Sequence, residues 1–200
     1  MTHPKTGIIL AGGSSHRMGT DKSFLDLGGV PIIGHVIRVM TSAFPRVLII
    51  TNDPDKYARF GLPMKADIIS GIGTLGGIHS GLTYLKDSAA LFVASDMPFI
   101  RPALIDYLVS AFHDTDAVVP YLNGEYEPLL AIYARGCLPA VEKTIASRKR
   151  RVVDFLSGIR LRTIRNDEFS LVDPDYLSIF NINTPEDYER AKRIVEVRDR

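Results

Sequence analysis

The run Gly7-Ile-Ile-Leu-Ala-Gly-Gly-Ser-Ser-His-Arg-Met-Gly-Thr-Asp-Lys22 passes without a break from an apolar strand into a loop of glycines, hydroxyls and cations. Gly7–Ala11 has the length and composition of a buried strand. Glycine carries no β-carbon, so the backbone N–H groups of Gly12 and Gly13 can approach an anion closely. Arg17 adds a guanidinium that can fork onto phosphate oxygens, and Lys22 adds a mobile point charge. A triphosphate, with about four negative charges, suits such a loop. The phosphate motif Gly-x-x-x-x-Gly-Lys-Ser/Thr does not apply, because Thr20 and Asp21 separate Gly19 from Lys22.

Outward from this loop, strand-length apolar runs at Val47–Thr51, Ala66–Ile69, Ala90–Ala94 and Ala117–Pro120 alternate with helical patterns at Pro31–Ser42, Leu75–Leu85 and Pro102–Phe112. Asp53-Pro-Asp55 opens a short helix that Gly61 stops. The alternation predicts an α/β fold with a mostly parallel sheet covered on both faces. Ligands of such sheets lie beyond the carboxyl ends of the strands. Loops 12–22, 52–53, 70–77 and 95–98 should therefore gather on one rim. After residue 120 the rhythm changes. Asn123-Gly124 reads as a tight turn, Glu125–Tyr133 as an extended arm, Gly136–Ile145 and Val152–Leu156 as helices, Arg160–Ile164 as a strand and Asp167–Ser178 as polar loop. Thr184-Pro-Glu-Asp187 has the form of a helix start, with threonine as N-cap and an acid at the capping-box position. The chain reads as one domain, residues 1–200, with 1–120 as a nucleotide-binding half and 121–200 as an acceptor-binding half.

Asp96, immediately after the apolar run Ala90–Ala94, is the candidate metal ligand. Mg²⁺ takes one or two carboxylates and completes its shell with phosphate oxygens and water; the alternative role for Asp96 is a cap for the next helix. Asn181 and Asn183 flank Ile182, and in an extended segment they share a face. Their amides suit a heterocycle or a metal-bound water, or else local cap bonding. Gly71-Ile-Gly-Thr-Leu-Gly76 matches a dinucleotide pattern but follows the third predicted strand, and close approach to any nucleotide explains its glycines equally well. Arg148-Lys-Arg-Arg151 is either a solvated cationic run or a clamp for an anionic second substrate.

The 200 residues are 46% hydrophobic and 24% charged with a net charge of +1, which argues against a broad nucleic-acid surface. Cys137 is the only cysteine, so neither an internal disulfide nor a thiolate cluster can form; it reads as a small buried hydrophobe. Neither a signal peptide nor an apolar run of membrane-spanning length is evident, and the expected location is the cytoplasm.

Taken together, these residues resemble the molybdenum cofactor guanylyltransferases over nearly the whole chain. The opening signature is present at Leu10–Lys22. Asn52, Asp67, Asp96-Met-Pro98, Glu127-Pro-Leu129 and Asn181-Ile-Asn-Thr-Pro-Glu-Asp187 follow in order. One departure is Thr74, where the family usually has proline. Cytidylyl-transferring relatives typically carry Leu-Ala-Ala-Gly followed by Pro-Lys, in contrast to Leu10-Ala-Gly-Gly13 and Asp21-Lys22 here. The resemblance implies a Rossmann-like three-layer nucleotidyltransferase fold. It implies transfer of GMP from GTP to the phosphate of molybdenum-bound molybdopterin, with release of pyrophosphate and with Mg²⁺ as cofactor. It assigns Leu10, Ala11, Gly12, Gly13, Asn52 and Asp67 to the nucleoside, with Asp67 on either guanine or ribose. Arg17 and Lys22 go to the triphosphate, Asp96 to the metal, and Asn181 and Asn183 to the acceptor. Proteins that deliver the molybdenum cofactor are the expected partners. Cytidylyl or other nucleotidyl transfer, and a non-catalytic nucleotide-binding module, are the alternatives.

Overall fold

Alternation along the first strand places Ile9 in one hydrophobic cluster and Ile8 in the other, so this strand needs cover on both faces. The computed structural model describes residues 3–12 and 22–198. In chain order the strands are β1 Thr6–Leu10, β2 Asp26–Leu27, β3 Val30–Pro31, β4 Arg46–Ile50, β5 Met64–Lys65, β6 Ala89–Ala94, β7 Ala117–Leu122, β8 Glu125–Tyr126, β9 Leu130–Ala134 and β10 Leu161–Ile164. The helices are α1 Ile32–Ala43, α2 Pro54–Tyr57, α3 Thr74–Tyr84, α4 Pro102–Ala111, α5 Leu138–Ala146, α6 Val153–Leu156, α7 Asn166–Val172 and α8 Pro185–Arg198.

The main sheet has the order β10-β7-β9-β6-β1-β4-β5, with β8 paired to β7. β1 runs parallel to β4 and β6, β4 to β5, and β7 to β10. β9 is antiparallel to both neighbours, β6 and β7. All six residues of β6 are buried, as expected of a strand covered on both faces. On one face Ile33, Val36 and Met40 of α1 and Leu104 and Leu108 of α4 pack on Ile9, Ile49, Leu91 and Val93. On the other, Leu75, Ile78 and Leu82 of α3 and Val141 of α5 pack on Ile8, Ile50 and Phe92. The result is the three-layer, mostly parallel α/β/α fold that the sequence predicts.

Three expectations are corrected. Ala66–Ile69 is not a strand: the edge strand is Met64–Lys65, after which the chain leaves the sheet. The Asn52 side chain takes the Asp67 N–H at 3.0 Å and Ser80 Oγ takes the Ile68 N–H at 2.8 Å, so side chains replace the ladder there. The arm at 125–133 is two strands broken at Glu127–Leu129, and β9 lies inside the sheet with Leu130–Tyr133 buried. The predicted polar loop at 167–178 contains α7 and a 3₁₀ turn, Leu177–Ile179. Phe169 anchors this segment in the core, and the buried Asp173 accepts the Ser178 N–H at 2.7 Å and lies 2.9 Å from Arg101 Nε.

Candidate active site

Because β1, β4, β5 and β6 are parallel, the loops that follow them emerge on one rim. β9 runs the opposite way, so the segment that precedes it, Glu127–Leu129, reaches the same rim. Together they enclose a cleft of about 540 Å³. Leu10, Ala11 and Gly12 form its floor with Ile50, and Asn52, Asp67, Lys22, Asp96, Asn181 and Asn183 project into it. The sequence-predicted residues are thus brought together from five segments. Gly13 and Arg17 fall outside the described residues.

Asn52 and Asp67 form a reciprocal pair. Asn52 Nδ2 donates to Asp67 Oδ2 at 2.9 Å, and the Asp67 N–H donates to Asn52 Oδ1 at 3.0 Å. The second carboxylate oxygen of Asp67 is buried and accepts no hydrogen bond from the described residues. An acceptor held in this way is ready for a ligand donor, because leaving it unmatched is costly.

Gly73 governs the neighbouring turn. Its φ of 60° and ψ of −144° lie in territory that β-carbons exclude, and its carbonyl caps the start of α3 by accepting from Gly76 N–H at 2.9 Å. The glycine pattern at 71–76 therefore serves entry into α3 and the wall of the cleft, and the chain does not use it as the first turn of a dinucleotide fold.

At the centre, Lys22 Nζ lies 2.5 Å from Asp96 Oδ2 and 2.7 Å from Asn183 Oδ1. Lys22 opens a 3₁₀ turn, Lys22–Phe24, that is pinned from below. Ser23 Oγ lies 3.1 Å from Ser95 Oγ, and the Phe24 ring is 5.0 Å from that of Tyr57. Asp96 is not a helix cap, since α4 begins at Pro102 with Arg101 in the N-cap position. Its Oδ1 is buried and accepts no hydrogen bond from the described residues. Among those residues no three His, Cys, Asp or Glu side chains gather as a metal cage.

Asn181 and Asn183 both face the cleft, as their spacing predicts. The backbone behind them is fixed twice. The Ile182 N–H donates to the Asp96 carbonyl at 3.1 Å, and the N–H groups of Asn183 and Thr184 donate to Asp187 Oδ2 at 3.0 and 2.9 Å. With Thr184 Oγ1 accepting from Asp187 N–H at 3.1 Å, the predicted capping box is complete.

Glu127 is a site residue that sequence reasoning did not select as one. It lines the cleft, and burial, with the nearby charges of Asp96 and Glu125, pushes its carboxyl above the usual range against a hydrogen bond from the Leu129 backbone. The signal was the break in the apolar arm at Glu127-Pro128. Glu127 also borders a second groove of about 530 Å³, formed with Gly71–Thr74, Pro128, Leu129 and Arg150–Val153. Arg150 Nη1 donates to the Gly71 carbonyl at 2.6 Å, so this member of the basic run is tied to the glycine turn. Cys137 is fully buried, donates through Sγ to the Asp116 carbonyl, and has its thiol pushed up to about 12 by burial, in line with a structural role.

Residues 7–162 match the profile of the MobA-like NTP transferase domain. The chain is 35% identical over 191 residues to a probable molybdenum cofactor guanylyltransferase of Pelotomaculum thermopropionicum, covering 96% of this chain and 93% of that protein. A molybdenum cofactor guanylyltransferase of Desulfosudis oleivorans is likewise 35% identical, with 96% of each chain covered. Among solved structures, molybdopterin-guanine dinucleotide biosynthesis protein A from Archaeoglobus fulgidus superimposes with a TM-score of 0.84 at 27% identity, covering 96% of this chain and 99% of that one. A 4-diphosphocytidyl-2C-methyl-D-erythritol synthase from Anaerococcus prevotii has a TM-score of 0.75 at 13% identity, which speaks for the shared fold alone.

Proposed function

The chain belongs to the family of MobA-like NTP transferase domains, and from that premise we propose that it transfers GMP from GTP to the terminal phosphate of molybdopterin. The observation that carries this reading is the cleft itself. A paired Asn52–Asp67 end with one open acceptor suits a nucleoside, and a Lys22–Asp96 end suits metal-bound phosphates. The guanylyltransferase names of relatives at 35% identity over nearly the whole chain support guanine as the base and molybdopterin as the acceptor.

In the proposed reaction an acceptor phosphate oxygen, already ionised at neutral pH, attacks the α-phosphorus of GTP. The new P–O bond forms as the bond from the α-phosphorus to the β-phosphate breaks, and pyrophosphate leaves. No general base is required, and the rate depends on alignment and charge stabilisation. Lys22 offsets the charge that grows on pyrophosphate, and Arg17 is assigned beside it. Leu10–Gly13, Asn52 and Asp67 hold the nucleoside. Asn181 faces the acceptor.

Asp96 would hold Mg²⁺. Its buried, unmatched Oδ1 fits an ion that takes its other ligands from phosphate and water. Bound there, the ion would neutralise phosphate charge and polarise the α-phosphoryl group. The acceptor would arrive from cofactor-delivery proteins in the cytoplasm.

The test is pyrophosphate release with GTP or CTP, each with and without molybdopterin. Release that requires both GTP and molybdopterin is expected. CTP-driven release would move the chain to cytidylyl transfer, and none under any condition would leave a binding module.

A further inference from the structure

Lys22 presents one ammonium to two acceptors that come from the far side of the chain. Asp96 Oδ2 at 2.5 Å follows β6, and Asn183 Oδ1 at 2.7 Å precedes α8. The two acceptors share a framework, since the Asp96 carbonyl is bonded to Ile182 N–H and the Asn183 N–H to Asp187. The lysine cradle is therefore built before any ligand arrives. The Lys22–Asp96 pair is mostly desolvated, with side-chain exposures of 15% and 14%, so it is not a screened surface pair, while Asn183 closes it from the exposed side.

We propose that Lys22, steadied by Asn183, is the resident counter-ion of Asp96, and that a divalent cation gains Asp96 only together with the triphosphate that draws Lys22 away. The inference rests on the reading of Asp96 as the metal ligand. A cation arriving alone at the unmatched Oδ1 of Asp96 must share the carboxylate with an ammonium of like sign held on Oδ2. A triphosphate removes this obstacle, because its oxygens give Lys22 a new partner and give the cation new ligands. The four-carbon stem of lysine allows that relocation with the backbone fixed. Metal and nucleotide then bind with positive and reciprocal coupling. In this arrangement Asn183 is a positioning residue. Its amide oxygen is spent on Lys22, so its weight in acceptor binding is smaller than its place in the cleft suggests.

The test is Mn²⁺ binding to the purified, acceptor-free protein, followed by calorimetry or by the resonance of free Mn²⁺, with and without a non-transferable GTP analogue. Without nucleotide, Lys22→Met should bind Mn²⁺ at least tenfold more strongly than the parent, because the competing cation is gone and the side-chain volume is kept. Asn183→Ala should shift binding in the same direction by a smaller factor, and it stands in if Lys22→Met fails to fold. Unchanged or weaker nucleotide-free binding in the folded variants would overturn the proposal. With the GTP analogue present, Asp96→Asn separates the two levels. If it then binds Mn²⁺ as well as the parent does, the metal assignment itself falls; if it loses Mn²⁺ there while Lys22→Met gains nothing without nucleotide, only the exchange falls.

Discussion

Asn52 and Asp67, fifteen residues apart and on neighbouring strand ends, satisfy each other through two hydrogen bonds of 2.9 and 3.0 Å and leave one buried carboxylate oxygen of Asp67 open. A carboxylate fixed in this way offers a nucleoside donor a charge-assisted bond, worth roughly 1.5–3 kcal/mol. Asp67→Ala is expected to lower kcat/KM for GTP by roughly tenfold to a hundredfold, mainly through KM. Steady-state kinetics beside a thermal melt checks this; a collapse of the melt with unchanged kinetics in the remaining folded protein would make Asp67 structural only.

Asp96→Ala removes the proposed metal ligand and also the partner of Lys22. Turnover should fall to background in excess Mg²⁺ while circular dichroism stays that of the parent, because Asp96 lies on the rim and not in either main core cluster. Lys22→Ala should lose about 3–4 kcal/mol of transition-state stabilisation, by analogy with lost oxyanion donors. A loss below about tenfold in kcat/KM would remove Lys22 from the chemistry.

The rim was legible where chemistry sits directly after an apolar strand. Ala11 and Gly12 follow β1, Asn52 follows β4, and Asp96 follows β6, so runs of strand length were enough to place them. Glu127 was harder, because its place on the rim depends on β9 being inserted antiparallel between β6 and β7, and an apolar run does not declare its direction. The contact of Lys22 with Asn183 spans 161 positions and leaves no local pattern at all. α7 was hidden for a different reason: its seven residues expose Asp167 and Leu171, and only Phe169, with the half-buried Val172, ties it to the core. The edge strand was misplaced because Asn52 and Ser80 compete with the ladder through side-chain oxygens, which periodicity cannot register.

Gly81 separates packing from chemistry. A β-carbon there would meet Phe92 Cε1 at 2.5 Å and Ile8 Cδ1 at 3.3 Å, where α3 packs on the sheet. Gly81→Ala should cost about 1–3 kcal/mol through overpacking. That corresponds to a fall of roughly 2–12 °C in Tm for a chain of this size. The kcat of the folded fraction should be unchanged, since Gly81 does not line the cleft. A stable variant would show that Phe92 can rotate aside.

Glu168 gives a prediction in pH. Arg162 bonds its carboxylate, Tyr107 donates to Oε1 at 2.8 Å and the Arg165 N–H donates to Oε2 at 3.3 Å. The hydrogen bond from Arg162, set against the cost of burial and aided by those from Tyr107 and Arg165, holds its carboxyl below the usual range. The unfolded chain, with its carboxyl near about 4.3, then binds the proton more readily than the native state, so stability contributed by Glu168 is present above that value and is lost as pH falls through the depressed native pKa. Glu168→Gln should lower Tm at pH 7, and the difference from the parent should shrink as pH falls below about 4. The pair is partly exposed, with 24% of the Glu168 side chain and 40% of that of Arg162 accessible, so salt should reduce the pH 7 difference as well. Melts at pH 7 and pH 3, each at low and high salt, measure both effects. A Tm difference that is independent of pH would mean that α7 is held by Phe169 and its neighbours, with the carboxylate contributing only shape.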